Sequence, residues 1–350
     1  MLREALVAAA ESGRVPDPLL RFGIRRLVAE RQRELLAPGF EAALASKRAF
    51  LDETARGPIA VATARANEQH YEVPPAFFEQ VLGPRLKYSC ALWDAGVASL
   101  AAAEERMLAV TCERAGLADG MTVLDLGCGW GSLTLWIAEK LPGCRVLGVS
   151  NSKPQREDIL RRAAERGLAN VEVTTADVNA FEPESRFDRV VSVEMFEHVR
   201  NHELLLARIA GWLAPEGRLF VHHFCHRDAA YPYETEGAGN WMGRHFFTGG
   251  MMPSEDLLLR RQRELEMEAQ WRVSGRHYER TSNAWLENLD ARADAVLGTL
   301  AGVYGADAAR LWRQRWRMFF LACAELFGFA GGEEWFVTHV RMAPRDGSAS

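Results

Sequence analysis

The stretch Val123-Leu-Asp-Leu-Gly-Cys-Gly-Trp-Gly131 decides the fold. A short apolar run, Met121–Leu126, leads straight into three glycines, and Ser132–Lys140 after them carries a helical pattern. Glycine lets the chain turn tightly and lets a ligand approach the backbone, just ahead of a helix N-terminus. Outward from this turn the pattern repeats. Strands are expected at Arg145–Val149, Val171–Thr175, Arg189–Val193 and Arg218–His222, with helical segments between them. Strands spaced by helices imply right-handed β-α-β units around a parallel sheet. Between about 226 and 285 the alternation breaks into aromatic-rich segments and the Gly249-Gly250 turn, which reads as an α-rich insertion over the strand ends, where such sheets bind ligands. Helices are expected again over roughly 284 to 330, and the last apolar run, Glu334-Trp-Phe-Val-Thr-His-Val340, reads as an edge strand.

Upstream, residues 1 to about 60 look helical. Leu20, Ile24, Leu27 and Val28 recur at helical spacing and make one apolar stripe, while Arg21, Arg25, Arg26 and Arg33 fall off it. Two readings stay open: a helix packed on the main domain with a solvated basic face, or a basic surface helix that meets anionic lipid. The chain then divides into a helical extension (1–65), a cap over the site (66–118), a ligand-binding core (119–225), a substrate cover (226–285) and closing helices with a strand (286–350).

Composition narrows the class. With 350 residues, 48% hydrophobic and 25% charged, the chain can bury enough apolar surface to fold. No apolar run approaches the roughly 20 residues of a membrane span. The opening carries Arg3, Glu4 and Glu11 without a long apolar core, so no secretory leader is expected. Six scattered cysteines form no CxxC pair or zinc spacing; they predict reduced thiols, a cytoplasmic setting and no metal site. A net charge of −5 gives no sign of nucleic acid as a partner.

The glycine loop, D-L-G-C-G-W-G, departs from the G-x-G-x-x-G of dinucleotide binders and resembles the first motif of class I S-adenosylmethionine methyltransferases. The resemblance implies a Rossmann-like class I methyltransferase sheet and S-adenosylmethionine as cofactor. It places Asp125, Gly127, Gly129 and Gly131 around the amino-acid end of the cofactor, with Tyr88 and Ser89 among the contacts. After the second expected strand, Gly148-Val-Ser-Asn-Ser-Lys-Pro-Gln155 lacks the usual carboxylate for the ribose hydroxyls, and Asn151 and Gln155 can offer neutral hydrogen bonds instead. Asp177 is placed for the adenine amino group, with Val178 beside the ring.

Further motifs narrow the family. Asn67-Glu-Gln-His-Tyr-Glu-Val-Pro74, Leu86-Lys-Tyr-Ser-Cys90, Glu194-Met-Phe-Glu-His198, Phe224-Cys-His226, Phe246-Phe-Thr-Gly-Gly250, His277-Tyr-Glu-Arg-Thr281, Ala324-Glu-Leu-Phe-Gly328 and Gly332-Glu-Glu-Trp335 together resemble the cyclopropane-fatty-acyl-phospholipid synthase superfamily, on the side of its coclaurine N-methyltransferase branch. That branch implies methyl transfer to the nitrogen of a small amine of benzylisoquinoline or phenethylamine type. Glu194, Glu197 and His198 would face that nitrogen, to take its proton and offset its positive charge. The lipid-modifying branch instead implies attack by an acyl-chain alkene, a bound bicarbonate as base, and contact with a membrane surface. Its bicarbonate pocket corresponds to Cys90, Glu197, His222, Phe224 and Tyr278. Glu194 favours the amine, because lipid-modifying members carry a small uncharged residue there and a bare charge at an acyl channel costs several kcal/mol. Tyr71, Tyr88, Trp93, Trp241, Phe246, Phe247, Phe327 and Trp335 are candidates for a ring-lined pocket. A catalytically silent cofactor-binding scaffold is the third reading. The oligomeric state stays open, a homodimer included.

Overall fold

Val123, Leu124 and Leu126 are buried, and the run before the glycines becomes the middle of the sheet. The computed structural model describes residues 2–61, 73–237 and 239–345. Its strands are β1 (Thr122–Leu126), β2 (Arg145–Ser150), β3 (Val171–Thr175), β4 (Phe187–Val193), β5 (Leu213–His226), β8 (Leu265–Val273) and β9 (Trp335–Pro344), in the order β3-β2-β1-β4-β5-β9-β8. A separate two-stranded ladder pairs β6 (Tyr231–Pro232) with β7 (Met251–Met252). The first five strands of the sheet are parallel, and β9 runs antiparallel to both β5 and β8. Strand order reverses at β1, so a crevice opens beyond its carboxyl end, where the glycine loop lies.

The helices are α1 (Leu2–Glu11), α2 (Asp17–Leu36), α3 (Phe40–Thr54), α4 (Pro75–Val81), α5 (Leu100–Ala115), α6 (Ser132–Lys140), α7 (Lys153–Glu165), α8 (His202–Trp212), α9 (Trp241–His245), α10 (Gly275–Ala291), α11 (Ala293–Tyr304) and α12 (Ala306–Phe327). Local chemistry sets their ends. Ser99 caps α5 and Ser152 caps α7 by accepting backbone N–H groups, and Gly116 closes α5 at φ 64°. Among the described residues, no helix is long and apolar enough to cross a membrane.

Three expectations are corrected. The final run is not an edge strand: β9 lies between β5 and β8, and β8 forms the edge. Burial explains it. Trp335–Pro344 is buried almost throughout, as an interior strand must be, whereas β8 alternates buried or half-buried residues with exposed ones. The segment 226–285 therefore supplies a strand of the main sheet as well as cover. Arg21 does not sit on a solvated face; its guanidinium lies 2.8 Å from Glu325 and 2.7 Å from Asn283, pinning α2 to α12 and α10. The apolar stripe is only partly sunk: Leu20 and Val28 are buried, while Leu27 is exposed.

Candidate active site

β4 ends at Val193 and the chain turns at once. Glu194 takes φ 49°, a left-handed conformation that costs a residue with a side chain about 1–3 kcal/mol. Its N–H donates to the His222 carbonyl at 2.8 Å, which ties the turn to β5. The strained turn places the carboxylate among three partners. Oε1 accepts the Cys90 N–H at 2.9 Å and lies 3.1 Å from His222 Nε2; Oε2 accepts the Tyr278 hydroxyl at 2.6 Å. Burial pushes the Glu194 carboxyl upward, while the nearby Lys87 ammonium and the Cys90 and Tyr278 donors hold it back.

Lys87 is itself buried, and its Nζ donates to Ser89 Oγ at 2.5 Å and to the Cys90 carbonyl at 2.9 Å. Glu104, fully buried on α5, holds the segment in place by accepting the N–H groups of Gly83, Arg85 and Lys87. Leu86–Cys90 is legible in the sequence as a motif, whereas the parts of Lys87 and Glu104 follow only from their burial.

A cavity of about 920 Å³ opens in front of Glu194. Its lining includes Tyr88, Ser89, Asp125, Gly127, Gly129, Gln155, Glu194, His198, Phe224, Trp241, Phe247, Tyr278 and Phe327. A smaller hollow of about 100 Å³ shares Gly127, Gly129, Gln155, Glu194 and His198 with it and adds Asn151, Asp177 and Val178. Tyr278 and Phe327 stack with centroids 4.3 Å apart, and His198 stacks on Phe247 at 4.5 Å. Burial lowers the His198 imidazole to about 4, so it is neutral at pH 7.

Several expected site residues lie elsewhere. Glu197 is fully buried behind the wall; its Oε1 accepts the Phe224 N–H at 2.6 Å, and its Oε2 has no hydrogen-bond partner among the described residues. Burial and the adjacent Glu194 charge push Glu197 far up, so it is a neutral acid. The Cys90 thiol turns to the Ala91 carbonyl at 3.3 Å, so this residue offers the site its backbone N–H rather than its sulfur. His222 is fully buried behind Glu194. Phe246 stacks on Phe319 at 4.5 Å in the core, and Trp335 donates to the Tyr231 hydroxyl behind the wall. Trp93 is turned to Thr281. Gly131 serves packing: a Cβ there would meet Ile159 at 2.6 Å. Tyr71 and residues 67–72 of the first family motif lie outside the described residues.

The glycine-loop side has the character of a ligand cradle. At Gly129, φ is 52° and an added Cβ would meet no heavy atom within 4 Å, so the backbone is open to the crevice. Gln155 Oε1 accepts the Ser150 hydroxyl, yet its buried Nε2, at the rim of both hollows, has no partner among the described residues. A buried amide donor left unpaired costs about 1–3 kcal/mol, and a ligand oxygen would remove that cost. Asp125 accepts the Thr134 hydroxyl at 2.6 Å, and burial raises it to about 6.

A family model described as mycolic acid cyclopropane synthetase matches residues 60–331. The chain belongs to the mycolic acid cyclopropane synthetase family. Within it, the chain is 37% identical to the (S)-coclaurine N-methyltransferase of Thalictrum flavum subsp. glaucum over 340 residues, 96% of this chain and 94% of that protein. The cyclopropane-fatty-acyl-phospholipid synthase of Escherichia coli (strain K12) is 28% identical over 264 residues, 70% of this chain and 66% of that one. A crystal structure of coclaurine N-methyltransferase bound to N-methylheliamine and SAH superposes with a TM-score of 0.93 at 36% identity, covering 97% of this chain and 99% of that chain. This family member is an S-adenosylmethionine-dependent methyltransferase of the N-methyltransferase branch.

Proposed function

We propose that the chain methylates the nitrogen of a small ring-bearing amine, of benzylisoquinoline or phenethylamine type, in the cavity before Glu194. The observation that carries this reading is the state of that carboxylate. The Cys90 N–H, His222 Nε2 and the Tyr278 hydroxyl converge on it. These are three of the five residues that correspond to the lipid branch's bicarbonate pocket, and a fourth, the Phe224 N–H, goes to Glu197. The protein's own side chains hold the donors that a loose bicarbonate would need, which weakens the lipid reading.

The cofactor supplies an electrophilic sulfonium methyl when bound. Residues suited to hold it are Gly129 by its open backbone, Gly127 by its left-handed turn packed on Met195, Asp125, Tyr88 and Ser89 at the amino-acid end, Gln155 and Asn151 toward the ribose, and Asp177 with Val178 toward the base. Glu194 attracts the substrate as an ammonium and takes its proton, which frees the nitrogen lone pair. Its raised proton affinity suits that task. Tyr278, Phe327, Phe224 and Trp241 exclude water and offer ring faces to a cation. Neutral His198 and neutral Glu197 leave Glu194 as the centre of negative charge.

Incubation with methyl-labelled cofactor tests this against two panels: tetrahydroisoquinoline and phenethylamine amines, and unsaturated phospholipid vesicles. Label is expected in amine. Label confined to lipid would overturn the reading, and label in neither would favour a scaffold.

A further inference from the structure

One row of side chains crosses the sheet behind Glu194. His222 on β5 stands opposite His339 on β9, which stands opposite Trp271 on β8, so the three share a face. α5 packs on β5 and β9 and delivers Arg114. Arg114 Nη1 lies 2.9 Å from His339 Nδ1, His339 Nε2 lies 2.9 Å from His222 Nδ1, and His222 Nε2 lies 3.1 Å from Glu194 Oε1. The guanidinium sits over the Trp271 ring at 5.3 Å.

The chain has a fixed direction. A guanidinium has donors only and does not give up its proton. His339 Nδ1 must therefore accept, and the neutral ring carries its proton on Nε2. That proton is donated to His222 Nδ1, which leaves His222 with an Nε2–H pointing at Glu194. Both imidazoles are fully buried, and burial, aided by the Lys87 and Arg114 charges, keeps them neutral.

We propose that Arg114 and His339 are positioning residues for Glu194, acting through His222 as a one-way hydrogen-bond relay. The relay supplies a constant donor to the carboxylate and is closed to protons. The ring nitrogen facing Glu194 already carries hydrogen, and the far end cannot accept one. A proton taken from substrate therefore stays on Glu194 and leaves through the cavity. This role rests on Glu194 being the group that faces the amine.

Two measurements test it on the full chain. In histidine-labelled protein, nitrogen-15 spectra are expected to show His222 and His339 as neutral Nε2–H tautomers; His222 as Nδ1–H would overturn the relay. In kinetics, His339→Leu is expected to lower kcat about tenfold or more. Cofactor-product affinity and amine KM should stay within about twofold. His339→Gln, whose amide offers an acceptor and a donor together, is expected to recover most of the loss. If the leucine variant fails to fold, Arg114→Met decides: a lowered kcat that Arg114→Lys restores supports the relay. Wild-type kcat in Arg114→Met, or in a folded His339→Leu, overturns it. Nε2–H tautomers in a chain that methylates no amine would keep the relay's direction and sink the amine reading instead.

Discussion

The cavity has two unlike walls. On the sheet side, Glu194 sits in a strained turn with the Cys90 N–H, His222 and Tyr278 all engaged, and little there can move without breaking a buried hydrogen bond. On the helical side, the lining from α1 and α2 is mostly apolar, with Val7, Leu20, Ile24 and Leu27 among it. That wall is pinned from outside by Glu11–Arg315 at 2.9 Å, Asp17–Arg317 at 2.8 Å and Arg21–Glu325 at 2.8 Å. The Glu194 carboxylate is thus held at the carboxyl end of β4, inside the sheet, and the cavity's shape by helices pinned from outside.

Breaking the sheet wall should do the most damage. Glu194→Gly, which tolerates the left-handed turn, is expected to cost about 1,000-fold in kcat while calorimetry shows cofactor-product affinity nearly intact. Added bicarbonate or formate, free to sit on the vacated donors, should recover part of the activity. Loss of cofactor binding in this variant would place Glu194 in the loop scaffold instead. Gly129→Val should weaken cofactor-product binding about 100-fold, through the disfavoured left-handed backbone and the blocked crevice. Unchanged affinity there would refute the cradle.

Acid should loosen the sheet side most, because it holds most of the buried histidines. His202, His223 and His226 are held down to about 4 by burial, against about 6.5 in an unfolded chain. Between those values the unfolded chain binds the extra protons, so this stability is complete above about 6.5 and is lost as pH falls toward 4. Glu104 and Asp125, raised to about 7 and about 6 by burial, work in the opposite sense over part of that window. With His198, His222, His245 and His339 also lowered, and Glu194 and Glu197 also raised, the histidines outnumber the carboxyls, and urea unfolding is expected to show a net loss of stability between pH 7 and pH 5. A flat or rising stability on acidification would contradict it.

On the helical wall, Ile24→Phe narrows the cavity. It is expected to raise KM about tenfold for bulky two-ring amines and leave kcat for small ones unchanged. An equal effect on both would mean that α2 shapes more than access. The smallest effect is reserved for Cys90→Ser, since the site uses that residue's N–H; turnover should stay within about twofold. A large loss would restore the thiol, and with it the lipid reading.

Much of this was legible along the chain. The glycine loop, the strand–helix alternation and Glu194 beside Glu197 and His198 are local patterns, readable because neighbours in sequence share an element. The misreadings have physical causes. The last run looked like an edge because it closes the chain, though its unbroken apolar character was the mark of a strand covered on both faces. Arg21 looked solvated because its partners, Glu325 and Asn283, lie some 300 and 260 positions away. Glu197 and His198 follow each other in sequence, yet the short turn after β4 sends only His198 to the cavity.

Local pattern alone set the parallel strands β1–β5, the glycine turn after β1 and the carboxylate after β4, because backbone propensity and apolar periodicity act over a few residues. Only the tertiary structure decided which donors reach that carboxylate, that α1 and α2 close the cavity, and that Arg114, His339 and His222 line up behind it. Those contacts join residues from 28 positions apart, for His222 and Glu194, to 225, for Arg114 and His339, and strand register and helix docking, which no local pattern encodes, bring them within hydrogen-bond reach.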